Sequence, residues 1–148
     1  MKQLALCMFA AFLFLRAESQ EKIYIPAAVT QSFSHKYPTV RKVHWLQDDE
    51  GIYAARFYQR GEPCTMRFDA EGRWLDGVKR LAFGDLRNNV RNAFIQSPFA
   101  SWQAYDVSEI QLPDQEPQYR IHIRHAATQS EKYLYYNGRG RLMKQMNM

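Results

Sequence analysis

Four-residue turns that each contain glycine recur between segments of alternating apolar and polar residues, and no other feature restricts the possible folds as strongly. The turns are Asp48-Asp49-Glu50-Gly51, Arg60-Gly61-Glu62-Pro63 and Asp69-Ala70-Glu71-Gly72. Glycine reaches positive φ without steric cost, and links this short join only antiparallel neighbours. The alternating segments run Val40 to Leu46, Ile52 to Tyr58, Pro63 to Phe68 and Arg73 to Asp76. A second series covers Ala104 to Gln111, Tyr119 to His125, Lys132 to Asn137 and Arg141 to Lys144.

A short helical pattern precedes each series. Ile25-Pro26 leads into Val29 and Phe33 at i, i+4, and the pattern stops at Tyr37-Pro38 because a residue before proline resists helical geometry. Phe83-Gly84-Asp85 leads into Leu86, Val90 and Phe94 and stops at Ser97-Pro98, with Asp85 the expected helix cap. Val29 and Phe33 lie 61 residues before Val90 and Phe94, while Met66, Phe68, Asp69 and Gly72 lie 68 before Leu134, Tyr136, Asn137 and Gly140. The offset grows in loops, for which the proline-flanked Leu112 to Pro117 is the candidate. The organisation expected is a unit over 20–80 and a second over 81–148, fused on one sheet.

Residues 1–19 have the pattern of a secretory signal: Lys2 at the start, apolar residues from 3 to 15, and small Ala17 and Ser19 at cleavage spacing. Thirteen residues at 1.5 Å each fall short of a hydrocarbon core of about 30 Å, so a cleaved signal is favoured over a transmembrane anchor. Removal at Ser19 leaves 129 residues with 18 basic and 14 acidic side chains. That length buries roughly two thirds of the unfolded surface without disulfide or metal support. Cys7 lies within the signal and lacks the context for lipid attachment, so Cys64 is the single mature cysteine, which excludes an internal disulfide and a cysteine-rich zinc site. Alternating with Met66 and Phe68, it reads as a buried strand residue. The mild basic excess is scattered among acids, and nucleic acid is not an expected partner.

Ile25-Pro26, Val29, Phe33, Tyr37-Pro38, Val43-His44-Trp45, Tyr53 to Phe57 and Phe68-Asp69-Ala70-Glu71-Gly72-Arg73-Trp74 resemble the PepSY-like family of exported bacterial proteins, described as similar to beta-lactamase inhibitor protein. The resemblance spans nearly all of the mature chain and is clearer in its first half. It implies an α+β fold of two tandem units, each a helix followed by a four-stranded antiparallel sheet, with the helices packed on one face of the combined sheet. The family carries no agreed catalytic residues. The chain departs from its pattern where Trp102 precedes a strand and where Phe83-Gly84 replaces Ile25-Pro26.

Local signatures of hydrolases, nucleotide enzymes and zinc proteases are missing, and neither catalytic residues nor a cofactor are expected. His122 and His125 could chelate a metal only across a bulge, since i and i+3 of a strand point to opposite faces; His122 reads as a surface residue, and no metal ligands are assigned. The trio Asp48, Asp49 and Glu50 reads as a solvated turn rather than a calcium loop, Asp106 and Glu109 as strand surface, and the Asp69 and Asn137 segments as turns.

Splitting each strand by parity gives an inner set of Tyr53, Ala55, Phe57, Cys64, Met66, Phe68, Tyr119, Ile121, Ile123, Leu134 and Tyr136. The opposite face collects His44, Arg56, Tyr58, Arg67, Arg120, His122, Arg124, Tyr133, Tyr135 and Arg141. Arginine, tyrosine and histidine combine apolar area with directional hydrogen bonds and supply much of the energy at protein interfaces. The same composition also suits a solvated sheet face with cross-strand pairs. The resemblance tips the balance toward docking, because the inhibitor-like fold uses the face opposite its helices. The expected function is an exported, non-enzymatic module, periplasmic or secreted, that binds or inhibits an envelope or extracellular protein; the alternative is an envelope sensor of a small molecule or metal. A hydrolase is a third reading that needs a nucleophile and base the sequence does not place. The partner's identity and the oligomeric state are not encoded in any pattern found.

Overall fold

A computed structural model of the chain describes residues 23–148, so residues 1–19, expected to be a secretory signal, and Cys7 among them lie outside the described residues. The elements are α1 (Ala27–Lys36), β1 (His44–Gln47), β2 (Tyr53–Gln59), β3 (Glu62–Phe68), β4 (Trp74–Leu81), a 3-10 turn (Phe83–Asp85), α2 (Asn88–Ile95), β5 (Gln103–Gln111), β6 (Gln118–Arg124), β7 (Glu131–Asn137) and β8 (Leu142–Asn147).

All eight strands join one antiparallel sheet in sequence order. This corrects the expected α+β fold of two tandem helix-plus-four-strand units. The molecule is mostly β, its sheet is continuous, and its α-helices are two short segments of ten and eight residues. The continuity comes from β4, which runs on to Leu81 instead of stopping at Asp76. It pairs with β5 over Gly77↔Gln111, Val78↔Ile110, Lys79↔Glu109, Arg80↔Ser108 and Leu81↔Val107. Lys79 and Arg80 concealed this extension in the sequence, because they break the apolar alternation at a place where no helix covers the sheet.

Every residue of the inner set is buried, in two clusters on one face. Val29 and Phe33 of α1 pack on β2 and β3, and the Phe33 ring meets Phe57 at 5.1 Å and Trp45 at 5.5 Å, both edge-on. Val90 and Phe94 of α2, with Leu86 ahead of it, pack on Val107, β6 and β7. Asp85 is not the helix cap: it closes the 3-10 turn by donating its N–H to the Ala82 carbonyl at 2.9 Å, and α2 starts beyond it at Asn88.

Two glycines couple turns to helices. At Gly72, φ is +81° and an added Cβ would lie 2.5 Å from the Ala28 carbonyl oxygen; at Gly140, φ is +83° and it would lie 2.4 Å from that of Asn89. The sequence marked both as turn residues, and packing adds the requirement that the first turn of each helix sits directly on the hairpin. The acidic and amide residues before them fasten those turns. Asp69 accepts the Glu71 and Arg73 N–H groups at 3.1 and 2.8 Å, and Asn137 accepts those of Arg139 and Arg141 at 3.0 Å each. Asp48 does the same for Glu50 and Ile52 at 3.0 and 2.8 Å.

Candidate functional site

Strand register determines which side chains share the outer face. His44 stands opposite Arg56 and Arg56 opposite Thr65; Arg67 stands opposite Ala54 and Asp76. Farther across, Arg80, Ser108, Arg120, Tyr135 and Lys144 form one cross-strand row, with Asp106, His122, Tyr133 and Met146 beside it. Of the sequence-chosen residues, nine lie on strands of this face. Arg141 does not: it sits in the β7–β8 turn, where its backbone N–H is bound to Asn137, because β8 begins one residue later.

The β5–β7 part of the face is internally cross-linked. Arg80 Nε lies 2.9 Å from Asp106 Oδ1, and Arg120 Nη2 donates to Ser108 Oγ at 3.3 Å, with Asp106 Oδ2 at 3.9 Å. Glu131 receives His122 Nε2 at 2.8 Å on one oxygen and Arg124 Nε and Nη2 at 2.7 and 2.6 Å on the other. The hydrogen bonds from Arg124, then from His122, hold the Glu131 carboxyl below its ordinary range.

Aromatic rings complete this cluster. The His122 ring lies 5.4 Å from Tyr105 and 4.7 Å from Tyr133. The Arg124 guanidinium sits 4.8 Å from the Tyr105 ring centre and that of Arg120 lies 5.2 Å from Tyr133, within cation–π range. His122 therefore points to the outer face but is only 8% exposed, which corrects its reading as a surface histidine: the flanking rings cover it. The β1–β3 part is looser. Tyr58 is 72% exposed, Arg67 is paired with Asp76, and Arg56 makes no ion pair among the described residues.

Sequence reasoning missed Arg80, Tyr105, Ser108, Glu131 and Lys144 as members of this face, and it placed Asp106 on a strand surface without grouping it with the arginines and tyrosines. Glu131 shares parity with Tyr133 and Tyr135, so starting that strand one residue earlier would have found it. Tyr105 was not readable, since a register shift between Ala104 and Asp106 delivers it. Glu109, expected on the surface of a strand, instead faces the helix side, where it accepts a hydrogen bond from the Tyr119 hydroxyl at 3.3 Å.

His122 and His125 are not brought together. His125 lies beyond β6, where its Nδ1 accepts the Thr128 N–H at 3.3 Å and its ring packs 5.0 Å from Trp102. Among the described residues no group of three or more histidines, cysteines or carboxylates is placed to hold a metal. Cys64 is buried, and burial pushes its thiol pKa up, which disfavours the nucleophilic thiolate.

The fold is thus a single, mostly β sheet backed on one face by two short helices, and solved structures share it. A DUF2874 family protein from Bacteroides ovatus is similar with a TM-score of 0.78 and 28% identity, over 84% of this chain and 89% of that one. A protein provisionally described as periplasmic, from Bacteroides eggerthii, gives 0.76 and 24%, over 84% and 90%. A BLIP-like protein from Bacteroides fragilis, named for beta-lactamase inhibitor protein, gives 0.77 and 22%, over 86% and 89%. No family model and no curated relative matches the chain. One of these structures is called BLIP-like, which shows a shared fold, and no PepSY-like family is named among them. Among the described residues no helix is long and apolar enough to cross a membrane.

Proposed function

We propose that this chain is an exported, non-enzymatic binding module of the PepSY-like kind that docks an acidic segment of an envelope or extracellular protein on its outer sheet face. The observation that carries the reading is the ring and guanidinium cluster of Tyr105, Arg120, His122, Arg124 and Tyr133, held in place by Glu131 and Asp106. Side chains already ordered before binding lose less entropy when they dock, and the face carries aromatic and arginine anchors. Arg56 and Lys144 make no ion pair among the described residues and give the face a positive excess, which favours an acidic partner. Export rests on the signal-like pattern of residues 1–19, with the description of the B. eggerthii protein in agreement. If the partner is an enzyme, the module acts as an inhibitor or accessory factor. The BLIP-like name of one similar structure makes a β-lactamase a reasonable first binding assay.

The test places a photo-crosslinking residue at Tyr58 or Tyr135 on the outer face, and at Gln31 on α1 as a control, in the protein produced in its own cells. The expected result is one partner linked from the outer face and absent from the control. With that partner purified, Tyr105→Ala and Tyr135→Ala should each weaken binding at least about tenfold without loss of folding. Equal crosslinking from α1, or unchanged affinity in both variants, would refute the face assignment.

A further inference from the structure

The helix side of the sheet is not covered evenly. One apolar cluster lies under α1 and the other under α2, and between them β4 and β5 turn Lys79 and Glu109 toward the helix side with no helix above. An open trough of about 500 Å³ occupies this gap, within the range of about 300 to 1,000 Å³ typical of small-ligand sites. Lys79, Leu81, Glu109 and Tyr119 form its floor. The β2–β3 hairpin supplies Arg60 and Glu62 on one side, and the segment leading into α2 supplies Asp85 and Arg87 on the other.

Three cations and three carboxylates thus line one trough, yet none of the six makes an ion pair within 4.0 Å among the described residues. Lys79 and Glu109 are direct cross-strand partners and still stay apart. Glu109 is held by neutral donors, Gln111 Nε2 at 2.7 Å and the Tyr119 hydroxyl at 3.3 Å. The Arg87 guanidinium lies 5.9 Å from the Tyr119 ring centre, and its Nη1 occupies the space that a side chain at Gly138 would enter. Opposite charges that share a recess without neutralising each other leave both signs available to a ligand, and their equal number disfavours a simple anion or cation. We propose that this trough binds a short peptide with both ends free, its carboxylate and its ammonium each meeting groups of opposite sign among the cations and carboxylates that are interspersed on both walls and the floor. This site lies on the opposite face from the proposed docking surface and stands or falls independently of it.

The test is a titration of the isotope-labelled protein with tri-alanine at millimolar concentration, followed by backbone amide resonances. Shifts centred on Lys79, Arg87 and Glu109 are expected, with little response to tri-alanine blocked at both ends and weaker binding of free alanine. Lys79→Gln and Glu109→Gln should each weaken binding at least tenfold, and Arg60→Gln on the exposed hairpin provides the same readout without touching the floor. No shifts with tri-alanine, equal shifts with the blocked peptide, or equal affinity for a peptide with only its carboxylate free would each overturn the proposal. Alanine binding as tightly as tri-alanine would overturn the peptide assignment.

Discussion

Gly51 and Gly72 have nearly the same backbone conformation, φ +80° and +81°, but Gly51 faces open space while Gly72 meets the Ala28 carbonyl. Alanine at Gly51 therefore costs only the left-handed backbone, about 1 to 2 kcal/mol. Alanine at Gly72 adds overpacking, and should cost about 1 to 3 kcal/mol more when both variants are unfolded in urea. The sequence shows the turn at both positions and cannot show the helix lying on one of them. At Glu131 the folded pKa is below the ordinary 4.5, so its contribution to stability is complete above about pH 4.5 and is lost as pH falls through the lowered folded value. Urea midpoints measured from about pH 7 to about pH 3 should fall less steeply for Glu131→Gln than for the unmodified chain. The parity of Glu131 was legible; its bonds to His122 and Arg124 depend on rotamers that packing selects. Cys64, 3% exposed and with its thiol pKa raised by burial, should react with a disulfide reagent only after denaturant is added. A rapid native reaction would place it in a far more open setting.

The helices are too short to persist alone: isolated helices of fewer than about 12 residues are marginal in water, and these have ten and eight. Peptides spanning residues 27–36 and 88–95 should show little helicity by circular dichroism, since Phe33 and Phe94 form these helices by burying their rings. Phe33→Ala, which empties the junction of Trp45, Phe57 and Tyr37, should destabilise the protein by about 3 to 5 kcal/mol in equilibrium unfolding. Alternation located most strands, because burial on one face leaves a period of two. It failed at β4, whose Lys79 and Arg80 face two differently polar environments, and at Tyr105, which a bulge turns outward.

The whole molecule is unified by the β4–β5 pairing, which carries the sheet from the α1 cluster to the α2 cluster. Heat unfolding should therefore be one transition, with calorimetric and van't Hoff enthalpies equal, and Phe33→Ala and Phe94→Ala should move that same transition. Two separate transitions would show that the clusters fold independently. The sequence by itself determined the antiparallel hairpins, the inward set and the presence of an arginine- and tyrosine-rich outer face. These follow from short-range rules of turn geometry and alternation, which act between residues close along the chain. Only the tertiary structure decided that β4 runs on to Leu81 and pairs with β5, that His122 is covered by tyrosines and that unpaired charges collect between two helix-covered clusters. Those outcomes depend on which distant strands pair and which surfaces the helices leave bare, and such choices are made by packing across the whole chain.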